Sequence, residues 1–413
     1  MEVEEVDVLV IGAGPSGTVA ASIVHQNGLS VKIVEKQRFP RFVIGESLIP
    51  RVMDHLDEAG FIDAVDKVGF EKKYGAKFLK GDKICDFDFS KQYTEGWAWT
   101  WQLPRADFDK VLADKVEEMG VEIRYQTSVT TIDFEDDLST TALVDQEGKE
   151  SKIQAKFIID ASGYGRVIPR LLDLDKDSTL PPRSAIYTHV KDTNRPEGEA
   201  GTQITFVVQR QEVWFWIIPF SDGTTSYGVA GDPNYFAEFD GSNREVLAAM
   251  MEEEPHFRDR FRNVEMLFEP HLITAYSKGV KQLYGQGYAL TGNSAEFLDP
   301  VFSSGVSFAT ESGALAAKLA SRQIEGDTVD WENEYAEYIM QGVDTFRTYI
   351  KAWYDGSLQE IFFAPNVNPS IKEQICSVLA GYVWDMSNPF VRKHEKGLDT
   401  LVRVVRATAR ATT

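Results

Sequence analysis

Residues 6–10, VDVLV, make a short apolar run of the kind a strand buried in a parallel sheet requires. After GAGPSG at 12–17, apolar positions recur at helical spacing to about Asn27, where Gly28 marks a stop. SVKIVEK then returns to strand and ends at Glu35. Strand, glycine turn, helix and strand form a βαβ unit. An irregular stretch, KQRFPRFVIGESLIPR, leads to a helical segment over 52–65. From 70 to 104 the pattern alternates and is rich in rings, as strands are. A helix is expected at 105–119, strands near 121–134 and 140–159, and a second set of strands over 184–231. Helical spacing resumes at 243–261, YALTG at 288–292 reads as a strand, and a helix follows over 306–323. The remainder, 331–413, is helical and aromatic.

This order predicts an α/β fold: a Rossmann-like dinucleotide-binding domain interleaved with a sheet-rich substrate domain, plus a helical C-terminal region. The expected parts are 1–180 with 264–325 (lending some substrate sheet near 70–104), then 181–263, then 331–413. At 413 residues the chain can bury more than one core. A net charge of −21 argues against a phosphate-backbone partner. Two cysteines, Cys85 and Cys376, offer no disulfide framework or metal spacing. The acidic start, MEVEEVDVLV, lacks the basic region of a secretion signal, and no apolar run is long enough to span a bilayer. A cytoplasmic protein without membrane insertion is expected. Arg403, Arg406 and Arg410 fall near one face of the last helix, a solvated face or a docking site for an acidic partner.

Chemistry enters with the glycines. Gly12 allows the tight turn, Gly14 lets backbone approach a pyrophosphate, and Gly17 lets the helix pack on the strand; Ala13, Pro15 and Ser16 complete the loop. The following helix start presents free N–H groups and a positive dipole end to phosphates. Glu35, at the end of the second strand, is placed to accept from both ribose hydroxyls. An adenine dinucleotide is therefore expected. In WFWIIP at 214–219, alternation puts Trp214, Trp216 and Ile218 on one strand face, with Pro219 closing the run.

LTGNSAEFLDPVFSSGVSFA at 290–309 and W-x-W-x-I-P at 214–219 together resemble flavin-dependent halogenases of the FAD-dependent monooxygenase superfamily. That resemblance implies FAD as the cofactor, supplied reduced by a separate flavin reductase, with chloride or bromide as co-substrate. It places Gly292, Asn293 (where the family has Asp), Asp299, Pro300 and Arg105 on the polar chain of FAD, and Lys36, Val129 and Asp160 beside the cofactor. Ile44, Gly45, Glu46 and Ser47 match the strap over the flavin ring. Ser303, Ser304, Gly305 and Val306 match the halide and flavin-ring loop, where backbone N–H groups at a helix start suit an anion. The indoles match a partition that keeps substrate from the flavin. Lys73 in EKKYGAKF matches the lysine that directs hypohalous acid, with Lys72, Lys77 and Lys80 as rivals. Phe302 stands where tryptophan-acting members carry a glutamate, which points to the phenol- and pyrrole-acting group and leaves any general base unassigned. The implied substrate is a small electron-rich aromatic, free or tethered to an acyl or peptidyl carrier protein. Rival readings on the same scaffold are an aromatic hydroxylase, an isoprenoid-chain reductase and a flavin binder that has lost catalysis. Ser162-Gly163 in place of the hydroxylases' Asp-Gly, and the lack of a second glycine turn for NAD(P)H, favour the halogenase. Tyr335, Tyr338, Phe346, Tyr349, Trp353 and Tyr354 have the spacing of a substrate lid or of ordinary core.

Overall fold

The computed structural model describes residues 3–135 and 138–412. Val3–Ile11, Val31–Val34, Glu122–Arg124, Glu150–Asp160 and Tyr288–Leu290 form the parallel centre of the first sheet. Val8, Leu9, Val10, Ile158 and Ile159 are fully enclosed, as strands of a parallel sheet covered on both faces must be. The helix Pro15–Gln26 covers one side and packs along the helix Ser304–Ile324, bringing together segments nearly 300 residues apart. An antiparallel pair, Thr127–Asp133 and Ser139–Asp145, extends from the first half of Glu150–Asp160.

The second sheet runs in the order His271–Thr274, Ser184–Lys191, Thr224–Gly231, Val213–Pro219, Thr205–Arg210, Gly75–Lys80, Lys83–Asp88. All its neighbours are antiparallel except Thr205–Arg210 with Gly75–Lys80, which pair in parallel. Two of its strands thus come from before residue 104. His271–Thr274 also joins it, so this sheet reaches past the 263 boundary drawn from sequence. A small pair, Glu71–Lys73 with Thr100–Gln102, bridges the two units.

The helical expectations hold, with breaks at punctuating residues. The 52–65 segment divides at Gly60, which has φ +73°, and the 243–261 segment divides before Pro255. The C-terminal rings are core: Trp353 is fully buried among Phe78, Phe302 and Phe362, and Tyr335 donates to the Leu290 carbonyl. No helix among the described residues is long and apolar enough to cross a membrane.

Candidate functional site

A cavity of about 680 Å³ begins at the first glycine turn, runs under the 41–47 strap and ends against the second sheet. At its nucleotide end Gly12 has φ +100°, and a Cβ there would stand 2.6 Å from the Ala161 carbonyl oxygen. A Cβ on Gly17 would lie 1.9 Å from the Gly12 oxygen, so only glycine lets this helix sit against its strand. Glu35 is buried; Oε2 accepts from Ala13 N–H (2.9 Å) and Oε1 from Gln37 N–H (2.8 Å). Each oxygen keeps a lone pair for a ribose hydroxyl. Gly14, Pro15, Ser16, Lys36, Val129, Gly292, Asn293 and Pro300 line the same cavity. The Asn293 side-chain amide makes no hydrogen bond within the described chain, which leaves both donors and its acceptor for a ligand. A long groove, a glycine cradle at a helix start and a doubly anchored acid together fit FAD.

The strap is held by ions as well as by ring contacts of Phe42 with Tyr187, His189, Phe268 and His271. Arg105 forms a fork on the fully buried Asp109 (2.8 and 3.1 Å), and Arg41 adds a third contact at 3.1 Å. From there Arg105 Nη1 reaches the carbonyls of Ile44 (3.3 Å) and Gly45 (3.4 Å). Arg105 lines the cavity, but its charge is committed to Asp109, so its first role is to anchor the strap. Glu46, buried on the strap, meets His189 Nε2, a partner from the second sheet that no local sequence signal indicated.

At the reacting end the indoles form the far wall. Trp214, Trp216 and Ile218 share one face of Val213–Pro219 and line the cavity with Phe206 and Tyr187. The two indoles lie 5.6 Å apart between ring centres. Each buried N–H has an acceptor: Trp216 gives to Ser226 Oγ (3.2 Å) and Trp214 to Tyr354 Oη (3.0 Å). Pro219 lies outside the cavity, its carbonyl accepting from Gln102.

The loop expected from sequence to hold halide begins with Ser303 in a left-handed conformation (φ +57°), from which Ser304–Ile324 starts. Ser303, Gly305 and Val306 face the cavity, and Ser304 is buried at the helix start. Ser303 Oγ lies 3.1 Å from Ser47 Oγ, and Ser47 Oγ accepts from Lys73 Nζ at 2.8 Å. Lys73 Nζ also donates to the Leu48 carbonyl (2.8 Å) and sits 5.5 Å from the Phe89 ring. No carboxylate forms an ion pair with it among the described residues, and burial pushes its pKa down from 10.5 to about 7. The rival Lys72 is exposed and pairs with Asp66, and Lys80 is exposed and bonds Gln359. Lys77 is half-buried and belongs, with Lys73, to a second, more polar cavity of about 580 Å³ lined also by Asp86, Asp88, Gln102 and Gln203.

Four expected cofactor contacts, Ala13, Gly17, Asp160 and Asp299, lie off the lining of the main cavity. Asp160 turns inward to cap the amides of Ser162 (2.9 Å) and Ile168 (2.7 Å), fixing the 161–168 turn. Asp299 accepts from Val301 N–H (3.0 Å), Tyr276 Oη (3.2 Å) and Tyr354 Oη (3.0 Å) beneath the wall. The expectation that it meets the polar chain of FAD is replaced by this buried role. Phe302 is buried edge-on to Trp353, as a core ring. On the last helix Arg403 pairs with Asp399 and Arg406 with Glu360.

A family model described as an FAD binding domain matches residues 5–240. The 1H-pyrrole-2-carbonyl-[peptidyl-carrier protein] brominase of Pseudoalteromonas luteoviolacea is 29% identical over 391 residues, covering 93% of this chain and 94% of its own. A crystal structure of a flavoprotein/dehydrogenase from Cytophaga hutchinsonii is 54% identical with a TM-score of 0.97, over 98% of this chain and 100% of that one. The structure of the flavin-dependent brominase Bmp2 is 26% identical with a TM-score of 0.84, over 98% and 100%. The chain that carries this groove, with its indole wall and the amine behind it, belongs to the FAD binding domain family and, within it, to the flavin-dependent halogenases.

Proposed function

We propose that this enzyme halogenates a phenol or pyrrole, free or carried on a carrier protein, through hypohalous acid directed by Lys73. The observation that carries this reading is the position of Lys73. Its strand borders the second cavity, while its ammonium bonds Ser47, a residue of the first. A buried lysine without a counter-ion is costly to maintain, which favours a chemical role over a structural one.

Bound reduced FAD supplies the activation of dioxygen that oxidises chloride or bromide to hypohalous acid. The protein's part is positional. Backbone N–H groups around Ser303–Gly305 hold the halide at the helix start. Trp214 and Trp216 keep the arene from the flavin groove. The hydroxyls of Ser303 and Ser47 lead from the halide loop to Lys73, whose N–H bonds the oxygen of hypohalous acid at the second cavity. The ring carbon takes the halogen as its bond to oxygen breaks, hydroxide leaves as water on taking a proton, and the ring loses its own proton. The net change is Ar–H + HOX → Ar–X + H₂O. A carrier-held pyrrole is supported by the substrate named for the Pseudoalteromonas relative, and a separate reductase by the lack of a second nucleotide turn in the sequence.

The test is a mass measurement. The protein is incubated with FAD, a flavin reductase, NADH, oxygen, bromide or chloride, and phenols or pyrroles both free and carrier-bound. A halide-dependent gain of one halogen is expected. A gain of oxygen would replace this reading with a hydroxylase, and a gain of hydrogen with a reductase.

A further inference from the structure

The indole wall is fastened from below by a directional chain of hydrogen bonds that passes through a C-terminal helix and ends on Asp299. Trp214 Nε1–H can only donate, so Tyr354 Oη accepts from it at 3.0 Å. Tyr354 has one hydroxyl proton, and it goes to Asp299 Oδ2 at 3.0 Å. Tyr276, itself a lining residue of the main cavity, donates to the same oxygen at 3.2 Å. The second oxygen of Asp299 accepts from Val301 N–H at 3.0 Å, in the turn that opens the halide loop. Arg183 covers the Tyr354 ring at 4.1 Å and pairs with Glu212 at 2.9 Å, beside the start of the wall strand. All four residues of the chain, Trp214, Tyr354, Asp299 and Tyr276, are more than nine-tenths buried. Burial holds the Asp299 carboxyl up at about 6 despite its three donors.

We infer that Tyr354 and Asp299 are positioning residues that fix the rotation of the Trp214 indole and tie it to the halide loop. The oxidant-forming end and the partition then move as one body. Tyr354 is the last residue of the helix Tyr338–Tyr354, so the C-terminal region takes part in the chemistry by steadying this wall, and its rings need not form a lid. This inference rests on the halogenase reading. A loosened wall lets hypohalous acid or reduced oxygen escape unused, so its signature is a poorer yield of halogenated product per oxygen consumed, with flavin binding unchanged.

Tyr354→Phe keeps the ring and removes only the hydroxyl. At least about a fivefold rise in the ratio of released peroxide to halogenated arene is expected, matching the loss of one or two buried hydrogen bonds. The affinities for FAD and arene should stay within about twofold. Trp214→Phe should raise the ratio similarly, and Tyr354→Phe in the Trp214→Phe background should add nothing further, because the hydroxyl acts through the indole. In the flavin-free protein, the ¹⁵N-indole resonance of Trp214 should shift in both Tyr354→Phe and Asp299→Asn. A wild-type enzyme that forms no halogenated arene sinks the halogenase reading itself. A wild type that halogenates, with a Tyr354→Phe ratio unchanged or fully additive with Trp214→Phe, overturns the positioning role alone. An unmoved indole resonance overturns it even if a variant is poorly active.

Discussion

At one end of the main cavity, the glycine turn and Glu35 come from a single βαβ unit, residues 12–35, and work through backbone amides and a helix start. At the other end, Ser47, Trp214 and Ser303, with Lys73 and Tyr354 behind them, come from the strap, the second sheet, the turn before Ser304–Ile324, the small strand pair and the C-terminal helices, and present side chains. The first end binds by local geometry, and a Cβ added at Gly12 or Gly17 collides with backbone. The second is assembled by convergence of distant segments, and on the proposed reading its single side chains can be altered with the fold intact. Binding and turnover should therefore be separable by mutation.

The largest effect is expected at the nucleotide end. Gly17→Ala forces a Cβ to 1.9 Å from the Gly12 oxygen, so flavin content after purification should fall below about a hundredth of wild type or the protein should fail to fold. Near-normal flavin absorbance would mean that this turn yields. Lys73→Met should leave flavin content intact and lower halogenation roughly 10³-fold, within the range of a positioned proton-donating group. Activity kept within tenfold would transfer the directing role to Lys77. A smaller effect is a pH dependence. The folded Lys73 titrates near 7 and the unfolded chain near 10.5, so between these values the unfolded state holds more protons and stability rises with pH. The melting temperature of wild type minus that of Lys73→Met should therefore climb by roughly a few degrees from pH 7 to pH 10. A flat difference would show an ordinary, solvated amine. The least effect is expected from Arg406→Ala, whose guanidinium is occupied by Glu360 on an exposed face. Turnover of free and carrier-bound substrates should change less than about twofold. A selective loss with the carrier-bound substrate would make this helix the docking face.

The same contrast explains what could be read without coordinates. The glycine turn is legible because its constraint and its consequence lie within one supersecondary unit. The indole face is legible because strand alternation alone puts 214, 216 and 218 together. Asp299 is not, since an Asp-Pro ahead of a helix reads equally as a ligand contact or a buried cap, and its deciding partner, Tyr354, lies 55 residues further on. Arg105 lines the cavity, but its fork on Asp109, one helical turn along, is not legible from the motif that marks it. The strand His271–Thr274 joined the second sheet against the boundary drawn from sequence, because pairing with Ser184–Lys191 is a long-range event that composition does not register.

The parallel pairing of Thr205–Arg210 with Gly75–Lys80 makes the second sheet a ruler. From the wall strand Val213–Pro219 it is two ladder steps to Gly75–Lys80, about 10 Å at ordinary strand spacing, and only Tyr74 separates that strand from Lys73. Main-chain hydrogen bonds thus calibrate the gap between partition and amine, and side-chain drift has little hold on it. Acceptance of a new arene or a new ring position would then arise through substitutions lining a passage of constant length, never by stretching it.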